Sequence, residues 1–154
     1  MKIRDAEDLI KSFREFVRDN FNNEITLINS EKTDFNIEEL PADDDHFCFF
    51  EQIEEIPEHD VITFNFSQEI ESQTRGSDRS LDMTIEVAYW SEHQARIQQY
   101  FASLRYMRAI EQTVLKYSIP ELDQINIVNN FLPEGFSLER KMLASGVRAN
   151  IVIA

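Results

Sequence analysis

Asp43-Asp44-Asp45-His46, with His59-Asp60 further on, is the part of the chain whose residue types come nearest to a metal centre. Hard cations take carboxylate oxygens, and mixtures of histidine and carboxylate suit transition metals. A ligand set also needs convergence from a fixed backbone. Consecutive aspartates point in different directions, and the glycine-containing spacing of an EF-hand loop is absent. No metal or cofactor is therefore expected. Glu51, Glu54, Glu55 and Glu58 offer carboxylate pairs for acid–base work, but nothing in the sequence buries one and exposes another, the contrast that separates an acid from a base. Cys48 lies between Phe47 and Phe49, an apolar setting that raises a thiol pKa and leaves the sulfur to pack. His93 falls in the first turn of an expected helix, where the dipole disfavours its proton; it is read as a surface residue. Tyr89 and Trp90 are followed by Ser91 and Glu92, and lack the basic neighbours of a stacking platform for single-stranded nucleic acid. No Gly-rich phosphate loop, H-E-x-x-H, G-x-S-x-G or paired C-x-x-C occurs in the chain. The expectation is a protein that is not an enzyme, with no residue assigned as catalytic, cofactor-binding or metal-ligating.

What remains is charge. The net charge is −14, and it is uneven. Residues 31–60 hold twelve acids against Lys32 alone, whereas residues 93–154 hold seven bases against five acids. A basic nucleic-acid footprint is absent, and repulsion of a polyanion is the natural expectation. Arg75 and Arg79 flank Gly76, with Asp78 between, in a polar connection. They make either a solubilising turn or an arm that pairs with carboxylates of another subunit.

The elements that would position these residues follow from periodicity. Residues 5–20 predict a helix, with Leu9, Ile10, Phe13, Phe16 and Val17 on one stripe, Asp5 as cap, and Asn20, Asn22 and Asn23 as its end. Residues 24–30 (EITLINS) predict a strand with Ile25 and Leu27 on one face. The acidic stretch contains Pro41 and Pro57 and is expected to be loop, except for a short buried strand at 46–50 (HFCFF). Residues 61–70 and 81–90 alternate cleanly and predict two half-buried strands, joined by the polar hairpin connection 71–80. Ser91 and Gln94 form a capping box for a helix running to about Tyr117, before Pro120. Its expected inner stripe is Ile97, Phe101, Leu104, Met107, Ile110 and Val114. Strands are expected at 124–131, around 136–142 after a turn at 133–135, and at 147–154. The order α-β-loop-β-β-α-β-β-β is an α+β pattern: two helices on one face of a mainly antiparallel sheet.

With 154 residues, an apolar share of 42% and 12 Phe, the chain suits a single domain over 1–154 with a real core, and 31–60 as an acidic insertion-like segment. Only 3 Gly and 4 Pro argue against a low-complexity linker. No window nears the roughly 18 uncharged apolar residues of a membrane span, so no membrane partner is expected. The charged start, MKIRDAEDLIKSF, leaves no apolar stretch for a signal peptide. One cysteine excludes internal disulfides and four-cysteine zinc sites, which suits synthesis in a reducing cytoplasm.

The stretch TFNFSQEIESQTRGSDRSLDMTIEVAYWSEHQARIQQYFASLRYMRAIEQTVLKY, with the closing RANIVIA strand, resembles the tail terminator and tail-completion (neck) proteins of tailed bacteriophages. The likeness lies in element order over about residues 60–154 and the N-terminal helix. It implies a structural virion protein, synthesised in the host cytoplasm, whose copies close a homo-oligomeric ring, usually a hexamer. That ring caps the tail tube and joins it to the head connector. DNA, at about one charge per 1.7 Å of axis, would pass a carboxylate-lined lumen without specific binding. Asp43, Asp44, Asp45, Glu51, Glu54 and Glu55 are the lumen candidates on this reading. Arg75, Gly76, Asp78 and Arg79 are the candidates for subunit or tube contact. The alternatives are an acidic DNA mimic or protein-binding module and, third, a small metal-dependent hydrolase built on Asp43–His46 and His59.

Overall fold

The computed structural model describes residues 2–49, 59–71, 79–90, 96–131 and 142–153. Helix α1 spans Ala6–Glu31, strand β1 Phe47–Phe49, β2 Val61–Glu71, β3 Arg79–Trp90, helix α2 Arg96–Leu115, β4 Leu122–Phe131 and β5 Met142–Ile153. The strands form one sheet in the order β1-β2-β3-β5-β4. β1 runs parallel to β2, and every other neighbour is antiparallel. The α+β, mainly antiparallel expectation is met. The capping box at Ser91 and Gln94, the turn at 133–135 and residues 136–141 of the strand expected at 136–142 lie outside the described residues; Met142 opens β5, which runs through Gly146 in place of a separate strand starting at Val147.

α1 starts where the sequence says it should. The Asp5 side chain accepts from the Asp8 amide at 3.0 Å, and Asp8 accepts from the Arg4 amide at 3.0 Å, so two amides near the helix start are satisfied reciprocally. The helix does not stop at its asparagines. It runs through Asn20, Asn22 and Asn23 to Glu31, and the expected strand at 24–30 is its last two turns. Ile25 is fully buried while Leu27 is 50% exposed, so the supposed strand face does not exist. The buried series Leu9, Phe13, Val17, Phe21, Ile25, Ile28 keeps helical spacing throughout. Of the three, Asn22 has a tertiary partner in Leu40 and Asn20 donates to the Phe16 carbonyl one turn back, and burial of the stripe on both sides carries the helix through them despite asparagine's weak helix preference.

α2 is rotated relative to expectation. Ala102, Ser103, Tyr106, Ala109, Ile110, Thr113 and Val114 face inward, and Ile97 and Phe101 stand 59% and 45% exposed. Small residues decide this, because they let the helix approach the sheet closely. Ser103 Oγ lies 2.9 Å from Ser145 Oγ on β5, and the Ser145 hydroxyl donates to the Ser103 carbonyl at 3.1 Å. α1 packs antiparallel against α2, fastened by Glu24 to Lys116, Glu31 to Arg108 and Ser12 to Tyr117. The core between helices and sheet is aromatic. Phe13 meets Phe64 and Tyr117 edge-on, and Phe21 lies between Phe47 and Tyr106.

The alternation in β2 and β3 is as expected on the helix side, with Ile62, Phe64, Leu81, Met83, Ile85 and Val87 buried. The opposite face carries Asn65, Asp82, Thr84, Glu86, Arg148 and Asn150, with Asn150 donating to Asp82 across strands at 2.7 Å. β4 is one margin of the sheet and is out of step with β5 twice, between Leu122 and Gln124 and between Ile127 and Asn129. Each shift leaves one extra exposed residue on β4, Asp123 and Val128.

Burial pushes the Glu86 carboxyl above its ordinary value of 4.5. The folded chain therefore holds this proton more tightly than the unfolded chain. Its contribution to stability falls as pH rises from the ordinary glutamate value through the raised one. Glu86→Gln is expected to unfold at a higher temperature than the parent at pH 7 and at a similar temperature near pH 4. Thermal circular dichroism at both pH values checks it, and a lower melting temperature at pH 7 would contradict it.

Candidate functional site

The acidic segment is fixed backbone over its first half. After α1 the chain turns back, and residues 35–40, which form no regular element, run along the helix. Asn29 donates to the Ile37 carbonyl and accepts from the Ile37 amide, both at 2.9 Å. Asn22 does the same for Leu40, at 2.7 and 3.0 Å. The geometry explains the spacing. Seven residues of helix rise about 10.5 Å, and three residues of extended chain cover about 10 Å. Two side-chain amides two turns apart thus substitute for the edge of a neighbouring strand.

α2 clamps the same strap from the other side. Arg105 donates to the Phe35 carbonyl at 2.7 Å and to Asp34 at 2.6 Å, and its guanidinium sits 3.7 Å above the Phe35 ring. Tyr106 donates its hydroxyl to the Glu38 carbonyl at 2.7 Å. The Arg105 hydrogen bond holds the Asp34 carboxyl below the usual carboxylate range. Beside this clamp a groove of about 380 Å³ is lined by Lys32, Asp34, Phe101, Leu104, Arg105 and Arg108.

The aspartates follow in a turn. Asp43 Oδ1 accepts from the His46 amide at 2.9 Å and from His46 Nδ1 at 2.7 Å. Asp44 accepts from Arg14 at 2.8 Å and from Arg18 at 3.2 Å, two cations one turn apart on α1. Arg14 also reaches the Phe47 carbonyl at 3.2 Å and lies over the Phe49 ring. These hydrogen bonds, from His46 to Asp43 and from Arg14 to Asp44, hold both carboxyls below their ordinary range. Asp45 is exposed. The six proposed lumen residues are therefore not equivalent: Asp44 has its charge matched within the chain, Asp43 is turned to a histidine, and Glu51, Glu54 and Glu55 lie outside the described residues.

Neither a protein-family model nor a curated protein sequence matches this chain.

Of the proposed contact residues, Arg75, Gly76 and Asp78 lie outside the described residues. Arg79 opens β3, its backbone between Glu71 and Ile153. Cys48 is buried on β1, and burial pushes its thiol up, as the flanking phenylalanines led one to expect. In the folded protein it should resist alkylation by iodoacetamide at pH 8 and react fully in denaturant; equal rates in both would contradict this burial.

The structure also brings together two residues that lie apart in the sequence. The His46 and His59 rings have centroids 4.4 Å apart, tilted by 40°. They open on a pocket of about 230 Å³ lined also by Glu38, Glu39, Leu40, Pro41 and Asp60. Among the described residues, no three His, Cys, Asp or Glu side chains converge as a complete metal-ligand set. The residues that sequence reasoning missed are the partners. Arg14 and Arg18 at a four-residue spacing, and Asn22 and Asn29 at seven, were visible as patterns, but their meaning needed the returning strap.

Proposed function

We propose that the chain is a structural ring subunit of a tailed-phage neck or tail end, which caps the tail tube, joins it to the head and lets DNA pass. The observation that carries the reading is the outer face of α2. Ile97 and Phe101, a turn apart, are large apolar side chains directed away from the core, and Phe101 borders a groove edged by Lys32 and Arg108. A subunit that closes a ring needs such a face on its own surface to meet a neighbour. The resemblance in element order and the charge of −14 support the same reading.

Arg14 and Arg18 modify its electrostatic part. A carboxylate already bonded to two guanidinium groups repels DNA weakly, so Asp44 serves the fold, and repulsion falls to exposed Glu38, Glu39 and Asp45 with the acids of 51–58. Among the described residues no helix is long and apolar enough to cross a membrane.

The test mixes the chain with tail-tube protein and examines the product by native mass spectrometry and negative-stain microscopy. Closed rings on tube ends, with tubes of limited length, are expected. Ile97→Asp with Phe101→Asp should abolish ring closure while leaving the monomer's melting temperature nearly unchanged, because surface substitutions away from packed features are worth within about 0.5 kcal/mol. A chain that neither binds tube ends nor limits tube length would overturn the proposal. A one-to-one complex with a DNA-binding protein, competed by DNA, would replace it with the acidic-mimic reading.

A further inference from the structure

His46 and His59 meet because β1 and β2 pair in parallel. β1 and β2 are in register with Phe47 opposite Ile62, and the Ile62 amide donates to the His46 carbonyl at 2.8 Å. The residue before β1 is thus brought beside the residues that precede β2. Each ring has its Nδ1 committed to an oxygen: His46 to the Asp43 carboxylate at 2.7 Å, and His59 to the Asp60 carbonyl at 2.9 Å. Those oxygens accept and do not donate, so a neutral ring places its hydrogen on Nδ1 and its lone pair on Nε2. A ring held at one nitrogen by a carboxylate or backbone carbonyl, with the other nitrogen presented, is the arrangement of histidine that ligates metal.

We infer that His46 and His59 form a two-imidazole seat for a borderline divalent transition metal ion, such as zinc or nickel, bound through their Nε2 atoms. Ring centroids 4.4 Å apart leave both rings within reach of one ion through metal–nitrogen bonds of about 2.0–2.1 Å each. Glu38, Glu39 and Asp60 line the same pocket and add the negative field that favours a cation there. Calcium and magnesium want several oxygen ligands in place of two imidazoles. With two protein ligands among the described residues, the ion keeps water in its remaining positions and exchanges readily. The expected consequence is a staple across residues 46–59. The seat is independent of the ring-subunit proposal.

The test uses the full chain, free of any affinity tag and stripped by chelator, titrated with zinc or nickel chloride by isothermal calorimetry at pH 7.5. One ion per chain is expected, with a metal-dependent rise in melting temperature. His46→Ala and His59→Ala should each weaken binding at least tenfold and remove that rise, and His59→Gln should repeat the result if the alanine variant folds poorly. His93→Ala, the third histidine, should leave binding unchanged. Asp43→Ala should weaken it roughly tenfold or more by releasing the His46 ring. No uptake at millimolar metal, or affinity unchanged when either His46 or His59 is removed, would overturn the inference.

Discussion

Phe21→Ala is expected to lower the stability of this protein by about 3–5 kcal/mol, the range for truncating a fully buried phenylalanine. Phe21 is completely enclosed. Its ring stands edge-on to Phe47 of β1 at 5.7 Å and stacks on Tyr106 of α2 at 6.2 Å, so one side chain joins both helices to the parallel edge of the sheet. Removing it leaves a cavity walled by two rings that are themselves fixed, Phe47 by β1 pairing and Tyr106 by its bond to the Glu38 carbonyl. Little relaxation can fill that space. Against a total of about 5–15 kcal/mol, the loss consumes a fifth or more of the stability. Denaturant unfolding should show a lower midpoint with an unchanged slope, and Phe21→Leu should lose less. A loss under about 1 kcal/mol would mean that the three-ring cluster is not a packing centre.

The double substitution of Asn22 and Asn29 by alanine should detach the acidic strap from α1. Each asparagine satisfies one amide and one carbonyl of a single strap residue, and leaving buried groups of this kind unpaired costs about 1–3 kcal/mol. The two sites are two turns apart, yet they share one strap. Once either half lets go, the other has less to hold, and the two losses should add to more than the double variant shows. Hydrogen exchange distinguishes this from general destabilisation. The amides of Ile37 and Leu40 should exchange fast in the double variant, while those of Ile62 and Ile85 in the sheet keep their protection. Ile37 and Leu40 amides that already exchange freely in the parent would contradict the strap.

The strands were the legible part of this chain, because alternation along Leu81, Met83, Ile85 and Val87 reports burial on one sheet face directly. α1 was half legible. Its N-terminal cap and first stripe were plain, but the alternation in EITLINS imitated a strand, and three asparagines imitated a stop. Part of the reason is that Asn22 and Asn29 are saturated by a strap that lies further along the chain, information that no local window contains. α2 misled in the opposite sense. Its largest apolar residues suggested the inner face, whereas Ala102, Ser103 and Ala109 win that face by allowing close approach. Within the candidate site, the residue types were evident and their geometry was not. Asp44 looked like a wall of repulsion until Arg14 and Arg18 were found opposite it. His46 and His59 already stood in one candidate cluster, but only the parallel pairing of β1 with β2 shows that their rings meet.

The two extra residues in β4 bear on how copies of this protein can join. A foreign strand laid along that flank would meet donors and acceptors whose rhythm breaks at Asp123 and again at Val128, so matching it over its ten residues would require the same two interruptions in the newcomer. Unlimited side-by-side growth into fibres is discouraged at this border. Assembly of the proposed kind would rely on contacts with built-in curvature, which can close on themselves and end.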